Sequence, residues 1–127
     1  MASSAPAETK KRELARRADE AVALAGSVLV MDPHNPDALH TMGLAFMAEA
    51  KWDQAVTALG RALKADPERP RTRANFAQAL DRQAKVLADA RDYAGAAALL
   101  ERAIDLETGD SRFYPHIAFV LAQMKCF

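Results

Sequence analysis

The stretch PDALHTMGLAFMAEAKWDQAVTALGRALKADPER, residues 36–69, decides the fold of this chain. Large apolar residues stand three and four positions apart in its first half, a spacing that places them on one face of an α-helix. Small residues, Gly43 and Ala55, stand among the larger ones, and Pro67 comes near the end. Small side chains let two helix backbones approach closely, and proline cannot continue a helix. The stretch therefore predicts two helices packed against each other.

The composition of the 127-residue chain favours helices throughout. Half of the residues are hydrophobic, whereas the chain has only five glycines, six prolines and 6% aromatic residues. Alanine is abundant, and it is the strongest helix former. The length suits one domain with a core of its own. An all-α chain with a single domain is the resulting expectation.

The helix-pair pattern recurs along the chain with a period of 34 residues. Ala21 and Pro33 stand 34 positions before Ala55 and Pro67, and Gly43 stands 34 positions before Ala77. A repeated period of this length is the signature of stacked supersecondary units. We therefore expect several helix pairs that each resemble residues 36–69.

One of the repeats is longer than the others. Ala77 stands 41 positions before Ala118, and Ala55 stands 41 positions before Ala96. Both distances exceed the period of 34 by seven, so both pairs of equivalent positions place seven extra residues within residues 70–110. Seven residues make about two helical turns, which preserves the direction of the buried face. If they lengthen one helix only, that helix should protrude by about 10 Å, which would leave Val86 and Leu87 with few neighbours.

These residues together resemble the tetratricopeptide repeat. The family pattern has a large residue, a Leu-Gly pair, an aromatic residue, a second aromatic residue after an alanine, and a closing proline, on a 34-residue period. Its positions are occupied here by Leu39, Met42, Gly43, Phe46, Ala55, Leu59, Ala62 and Pro67. The chain departs from the pattern at Leu39, where the family has tryptophan, and at Thr108, where the last proline would stand. We expect Gly109 to end that helix in the left-handed conformation.

The resemblance implies the architecture. It is an all-α, short right-handed α-solenoid of antiparallel helix pairs with about six helices. Residues 1–7 are predicted to be disordered and residues 8–127 to form a single domain. The predicted parts of that domain are an N-terminal helix (8–33), a complete repeat (36–69), the lengthened repeat (70–110) and a closing helix (111–127).

No grouping of reactive residues predicts catalysis, so the chain is not expected to be an enzyme. His34, His40 and His116 are isolated and lack the spacing of metal ligands, so no metal site is predicted. The glycines do not cluster into a phosphate-binding loop, and no cofactor is expected. Cys126 is the only cysteine, which rules out a disulfide within the chain.

The balance of charge argues against two classes of partner. Seventeen basic and seventeen acidic residues cancel, so no global field holds the chain on nucleic acid. The longest nearly apolar run is too short to cross a bilayer, so no membrane insertion is expected, and no signal-peptide core is recognisable. The predicted location is the cytoplasm.

The tetratricopeptide resemblance also implies a binding surface. In that family the first helix of each pair lines a concave groove that binds protein or peptide partners. Transferred to this chain, the groove positions are Asp37, His40, Thr41, Leu44, Met47, Arg71, Asn75, Gln78, Arg82, Arg112, His116 and Phe119. Arg71, Arg112 and a protonated His116 are candidate partners for carboxylates. The predicted partner is therefore an acidic protein segment or peptide.

The closing helix carries an apolar face with no later helix to cover it. Its residues are Phe113, Ile117, Val120, Leu121, Met124 and Phe127. The ends of a solenoid normally present a polar face, so this one predicts an oligomer face and a homodimer. The leading functional prediction is a protein-interaction scaffold or adaptor. The alternatives are a chaperone for a secreted or assembling substrate and a self-assembling structural component.

Overall fold

The computed structural model of the protein describes residues 5–125, and helices occupy most of that range. The elements are α1 (Ala5–Met31), α2 (Pro36–Ala48), α3 (Trp52–Ala65), α4 (Pro70–Asp89), α5 (Tyr93–Leu106), a single 3₁₀ turn η1 (Ser111–Phe113) and α6 (Tyr114–Lys125). No strand occurs in this part of the chain. The prediction of an all-α chain with about six helices is confirmed.

Proline and side-chain caps determine where several helices begin. Pro36 and Pro70 occupy the first turns of α2 and α4, where the missing N–H costs nothing. The Asn35 side chain accepts a hydrogen bond from the Ala38 N–H at 3.0 Å. Asp92 accepts one from the Gly95 N–H at 2.9 Å in the same way at α5. These caps satisfy backbone donors that have no partner within the helix.

The two turns inside the helix pairs close in the same way. Ala50 between α2 and α3 has φ of 57°, and Arg91 between α4 and α5 has φ of 66°. The Lys51 N–H donates to the Phe46 carbonyl at 2.9 Å, five residues back, as in a Schellman motif. Both left-handed positions are occupied by residues other than glycine, which costs some backbone energy at each.

The prediction for Gly109 is wrong. No glycine in the described residues has a positive φ, and α5 ends at Leu106, before Gly109 is reached. The Glu107 N–H still bonds to the Ala103 carbonyl at 3.1 Å, and the Asp110 N–H bonds to the Glu107 carbonyl at 3.0 Å. An ordinary turn with these two bonds removes the need for a left-handed residue.

The chain falls into two compact units that divide between Ala65 and Asp66. In the first unit, α2 contacts both α1 and α3. Leu39 of α2 and Leu59 of α3 are fully buried in this unit. A Cβ atom on Gly43 would lie 2.5 Å from Leu59 Cγ, so glycine is what allows α2 and α3 to approach this closely.

In the second unit, α5 contacts α4, η1 and α6. Helix α4 has 20 residues where α2 has 13, whereas α3 and α5 have 14 each, so the seven extra residues lengthen α4 alone. The expectation that Leu87 has few neighbours is wrong, because Leu87 packs against the cluster of Ala84, Ala96 and Leu100. Because the turn to α5 follows the extension, α5 begins beside it and covers one side. Val86 remains exposed.

The predicted boundaries differ from the observed ones at the N-terminus. Helix α1 begins at Ala5, within the segment predicted to be disordered, because alanine and glutamate favour a helix and Pro6 is tolerated in its first turn. Residues 1–4 lie outside the described part. The single domain over residues 8–127 stays a prediction. No described helix is long and apolar enough to cross a membrane.

Candidate functional site

The second unit contains a groove between α4 and α6 with a volume of about 700 Å³. Its floor is apolar and buried, with Ala84 from α4, Leu100 from α5, Phe113 from η1 and Val120 from α6. Phe119 of α6 is exposed at its edge. The groove therefore offers buried apolar surface at the bottom and an exposed aromatic ring above it.

One face of α4 forms a polar wall of this groove. Its polar residues are Gln78, Asp81, Arg82, Lys85 and Asp89. They are spaced by three or four positions along most of the wall, which places them on the same side of the helix. The shorter α2 ends at Ala48, whose equivalent 34 positions later is Arg82. Lys85 and Asp89 thus lie in the inserted turns, and the insertion lengthens the wall.

Two polar contacts, one across the groove and one within the wall, involve these residues. His116 Nδ1 of α6 lies 2.6 Å from Asp81 Oδ1 of α4, which joins the two sides of the groove. The Asp81 carboxyl is largely buried, whereas the His116 ring is more than half exposed. Lys85 Nζ donates to Asp89 Oδ2 at 3.2 Å within α4. These polar groups therefore already have partners within the free protein.

Arg112 lines the groove, but Asp110 holds its guanidinium. Arg112 Nε donates to Asp110 Oδ1 at 2.9 Å and a second guanidinium nitrogen, Nη2, donates to Oδ2. The Arg112 backbone N–H also donates to Asp110 Oδ1 at 3.0 Å. These hydrogen bonds lower the pKa of Asp110 to about 2 and raise the pKa of Arg112. The predicted carboxylate partner of a ligand is therefore already engaged by a carboxylate of the chain.

The Asp110 carboxyl should titrate with a pKa of about 2 rather than at its ordinary value of 3.8. Because its pKa is lowered in the folded state, its stabilising contribution is present above about pH 4 and is lost as the pH falls towards 2. Arg112→Ala should raise the pKa of Asp110 towards its ordinary value. An NMR titration of the side-chain carboxyl carbons measures both values, with Lys85→Ala as the control. An unchanged Asp110 pKa in Arg112→Ala would contradict the assignment.

The structure brings together five of the residues predicted for the groove. They are Gln78, Arg82, Arg112, His116 and Phe119. Sequence reasoning missed Lys85 and Asp89 because the groove positions were transferred from a repeat without the insertion. It also missed Asp81, although Asp81 is the equivalent of the predicted groove residue Met47. Their spacing from Gln78 and Arg82 was the available signal, since residues three or four apart share a helix face.

Arg71 and Asn75 do not line this groove. Both belong to the first two turns of α4, whereas α6 faces its later turns. Arg71 is exposed and Asn75 is half-buried. The seven inserted residues shift the site towards the C-terminal end of α4, which explains the difference.

The predicted groove residues of the first unit have mixed exposure. Asp37 and Thr41 are exposed, and Leu44 and Met47 are half-buried. The prediction for His40 needs correction because this residue is only 9% exposed. Helix α2 contacts α1 on one side and α3 on another, so little of its surface is left for a ligand.

The predicted oligomer face of α6 also needs correction. Phe113 and Val120 are buried, and Ile117 packs against the same cluster as Val120, because α5 covers this side of η1 and α6. Leu121 and Met124 are exposed, as predicted for an open face. Phe127 lies outside the described residues.

Several charged residues in the middle of α1 pair with one another. Arg16 bonds to Glu13 and Glu20, and Arg17 bonds to Glu13. The hydrogen bond from Arg16 lowers the pKa of Glu13. This part of α1 is a solvated helix face. Within residues 5–125 no group of three His, Cys, Asp or Glu residues could hold a metal ion.

Comparison with solved structures finds helical-repeat proteins. A crystal structure of MamA is 22% identical, with 85% of this chain and 59% of MamA covered at a TM-score of 0.58. The type III secretion chaperone SycD of Yersinia enterocolitica, in complex with a peptide of the translocator YopD, is 16% identical. The alignment with this structure covers 95% of this chain and 92% of SycD, at a TM-score of 0.51. At these identities the similarity shows the fold alone.

The chain spans 59% of the length of the MamA structure, so it corresponds to part of that protein. No curated protein matches the sequence. Residues 14–74 match the tetratricopeptide repeat family. The helix pairs, the 34-residue register and this match agree, and residues 14–74 belong to the tetratricopeptide repeat family.

Proposed function

We propose that the chain is a protein-interaction module whose second unit binds a peptide segment or helix of a partner protein. The observation that supports this most directly is the groove of about 700 Å³ with an apolar floor and a polar wall. Its volume lies within the range of ligand sites, and its position between two helices suits an extended or helical segment. From the sequence arguments above, we also propose that the chain has no catalytic role and acts in the cytoplasm.

We propose that an apolar anchor contributes most of the affinity. Leu100, Phe113 and Val120 provide a floor on which a large apolar side chain of the partner would be buried. Phe119 would cover that anchor from the side, since aromatic residues at the edge of a buried contact are frequent binding hot spots.

The charges of the wall would select the partner rather than hold it. His116 is bonded to Asp81, and Lys85 to Asp89. An acidic partner would have to displace these carboxylates of the chain itself. Exposed ion pairs contribute little affinity, about 0–1 kcal/mol each. We propose that the apolar anchor of the partner supplies the affinity and that acidic flanks add selectivity.

A chaperone role is the second candidate. The SycD structure has a similar extent and was solved with a peptide of the translocator it serves. A fold of this size can therefore hold a peptide of a client protein. A chaperone would bind its client before assembly and release it afterwards, whereas a scaffold would stay bound.

Peptide selection on the purified chain tests the proposed groove. A phage-displayed library of random 15-residue peptides should yield sequences that share an apolar anchor. A selected peptide with a fluorescent label should lose about tenfold or more in affinity on Phe119→Asp, because the charge removes the apolar wall of the anchor site. Fluorescence anisotropy measures the two dissociation constants.

Val86→Asp is the matched control for this test. Val86 is exposed on α4 but does not line the groove, so its substitution should leave the affinity of the peptide unchanged. Equal losses for both variants, or peptides that bind Phe119→Asp as tightly as the parent, would show that the groove is not the binding site.

A further inference from the structure

The first helix, α1, leaves open a face that is covered in the complete repeats. Helix α3 packs on α2, and three of its residues are buried: Ala55, Ala58 and Ala62. The equivalent positions of α1, 34 residues earlier, are Ala21, Leu24 and Val28. Leu24 is 70% exposed and Val28 is 44% exposed. Helix α1 is thus a second helix of a repeat whose own first helix is missing from the described residues.

The last helix, α6, leaves open a face that is covered in the first helices of the complete repeats. Three positions that are buried or partly buried in α2 are Leu39, Gly43 and Phe46. Their equivalents in α4 are Arg73, Ala77 and Leu80, and those in α6 are Tyr114, Ala118 and Leu121. All three residues of α6 are exposed, and Leu121 is 45% exposed. Helix α6 is a first helix whose second helix is missing from the described residues.

Val120 shows that only one side of α6 is open. Its equivalents Ala45 and Ala79 are buried, and Val120 is buried too. Val120 packs in the cluster that contains Ala96 and Leu100 of α5. Helix α6 is therefore covered on the side of the preceding helix and open on the side where a second helix of its own repeat would pack.

We propose that α6 of one copy pairs with α1 of the next copy, head to tail, in the register in which α2 pairs with α3. The two open faces are the two halves of one repeat, and the interface would continue the one that the chain forms twice within itself. Ala118 is small at the position of Gly43, so the two backbones can approach closely. Leu24 and Val28 of one copy would then cover Tyr114 and Leu121 of the other.

The pairing is heterologous, because the two faces differ. Each added copy leaves one face of each kind open, so association continues into longer chains unless a ring closes. Helix α6 has 12 residues and is about 18 Å long. An interface limited to this length is at the small end of specific contacts, so association should depend on concentration.

Sedimentation velocity of the full chain between about 5 and 500 µM tests the proposal, a range suited to a weak interface. The weight-average mass should rise with concentration and pass that of a dimer. Leu24→Asp and Leu121→Asp should each remain monomeric, because each places a charge in one of the two faces.

An equimolar mixture of these two variants provides the decisive measurement. Leu24→Asp keeps an intact α6 face and Leu121→Asp keeps an intact α1 face, so the mixture should form a one-to-one dimer and nothing larger. A symmetric contact between two α6 helices would instead leave Leu24→Asp dimeric, which would overturn the proposal. A monomeric parent chain, or a mixture that stays monomeric, would also overturn it.

Two variants on the same helices serve as controls. Val30→Asp changes a residue of α1 that is 80% exposed and lies outside the open face. Phe119→Asp changes the groove side of α6. Both should associate as the parent does, so loss of association in Phe119→Asp would place the contact in the groove and contradict the pairing. Circular dichroism confirms helix content, and asparagine replaces aspartate if a variant unfolds.

Discussion

Leu59→Ala is expected to lower the free energy of unfolding by about 2–5 kcal/mol, the usual cost of deleting a fully buried leucine side chain. Leu59 of α3 is completely buried, and its side chain occupies the space above Gly43 of α2. Its neighbours Ala58 and Ala62 are small and cannot move in to close the cavity. Urea unfolding followed by circular dichroism at 222 nm measures the loss.

A second substitution tests the reason for this loss. Gly43→Ala in the parent chain should destabilise it by about 1–3 kcal/mol through overpacking, because the new Cβ would lie 2.5 Å from Leu59 Cγ. In Leu59→Ala the same methyl group would enter vacant space. The double variant should therefore be more stable than the sum of the single effects by at least about 1 kcal/mol. Strictly additive effects would show that Gly43 and Leu59 are not packed together as described.

Leu100→Ala is expected to cause a loss of about the same size in the second unit, again about 2–5 kcal/mol. Leu100 of α5 is buried in the cluster that joins Ala84 of α4, Ala96 of α5 and Val120 of α6. Ala84 and Ala96 of this cluster are too small to fill the space that the leucine side chain leaves. Hydrogen exchange of the α5 and α6 amides measures the change in local stability.

The same substitution should alter the groove, since Leu100 is part of its floor. Peptides selected on the parent chain should bind Leu100→Ala more weakly, because their anchor meets a cavity rather than a packed surface. Leu99→Ala is the matched control, as Leu99 is only partly buried and does not line the groove. A smaller stability loss in Leu100→Ala than in Leu99→Ala would contradict the described core.

The repeat register of the candidate site was predictable from the sequence, but its position was not. Gln78, Arg82, His116 and Phe119 were predicted because the tetratricopeptide resemblance implies which face of a first helix lines the groove. Lys85 and Asp89 were missed because they lie in turns that the repeat pattern lacks. The pattern showed that seven residues were added, and only the packing of α5 on α4 shows which helix received them.

The pairing of polar side chains was the other feature that sequence reasoning could not supply. Asp81 and His116 are 35 positions apart, so no local rule pairs them, yet they lie 2.6 Å apart in the structure. Arg112 was predicted as a partner for a carboxylate of the ligand, but the 3₁₀ turn that precedes α6 brings its guanidinium back to Asp110.

The sequence by itself determined the helices, their pairing and the register of the repeats, because these depend on spacings of apolar and small residues that recur within about 40 positions. The tertiary structure decided which apolar residues of α6 are covered. Val120 is buried and its neighbour Leu121 is exposed, although both are apolar. The difference arises because α5 lies against only one side of α6, and the side on which a neighbouring helix lies is a property of the packed chain.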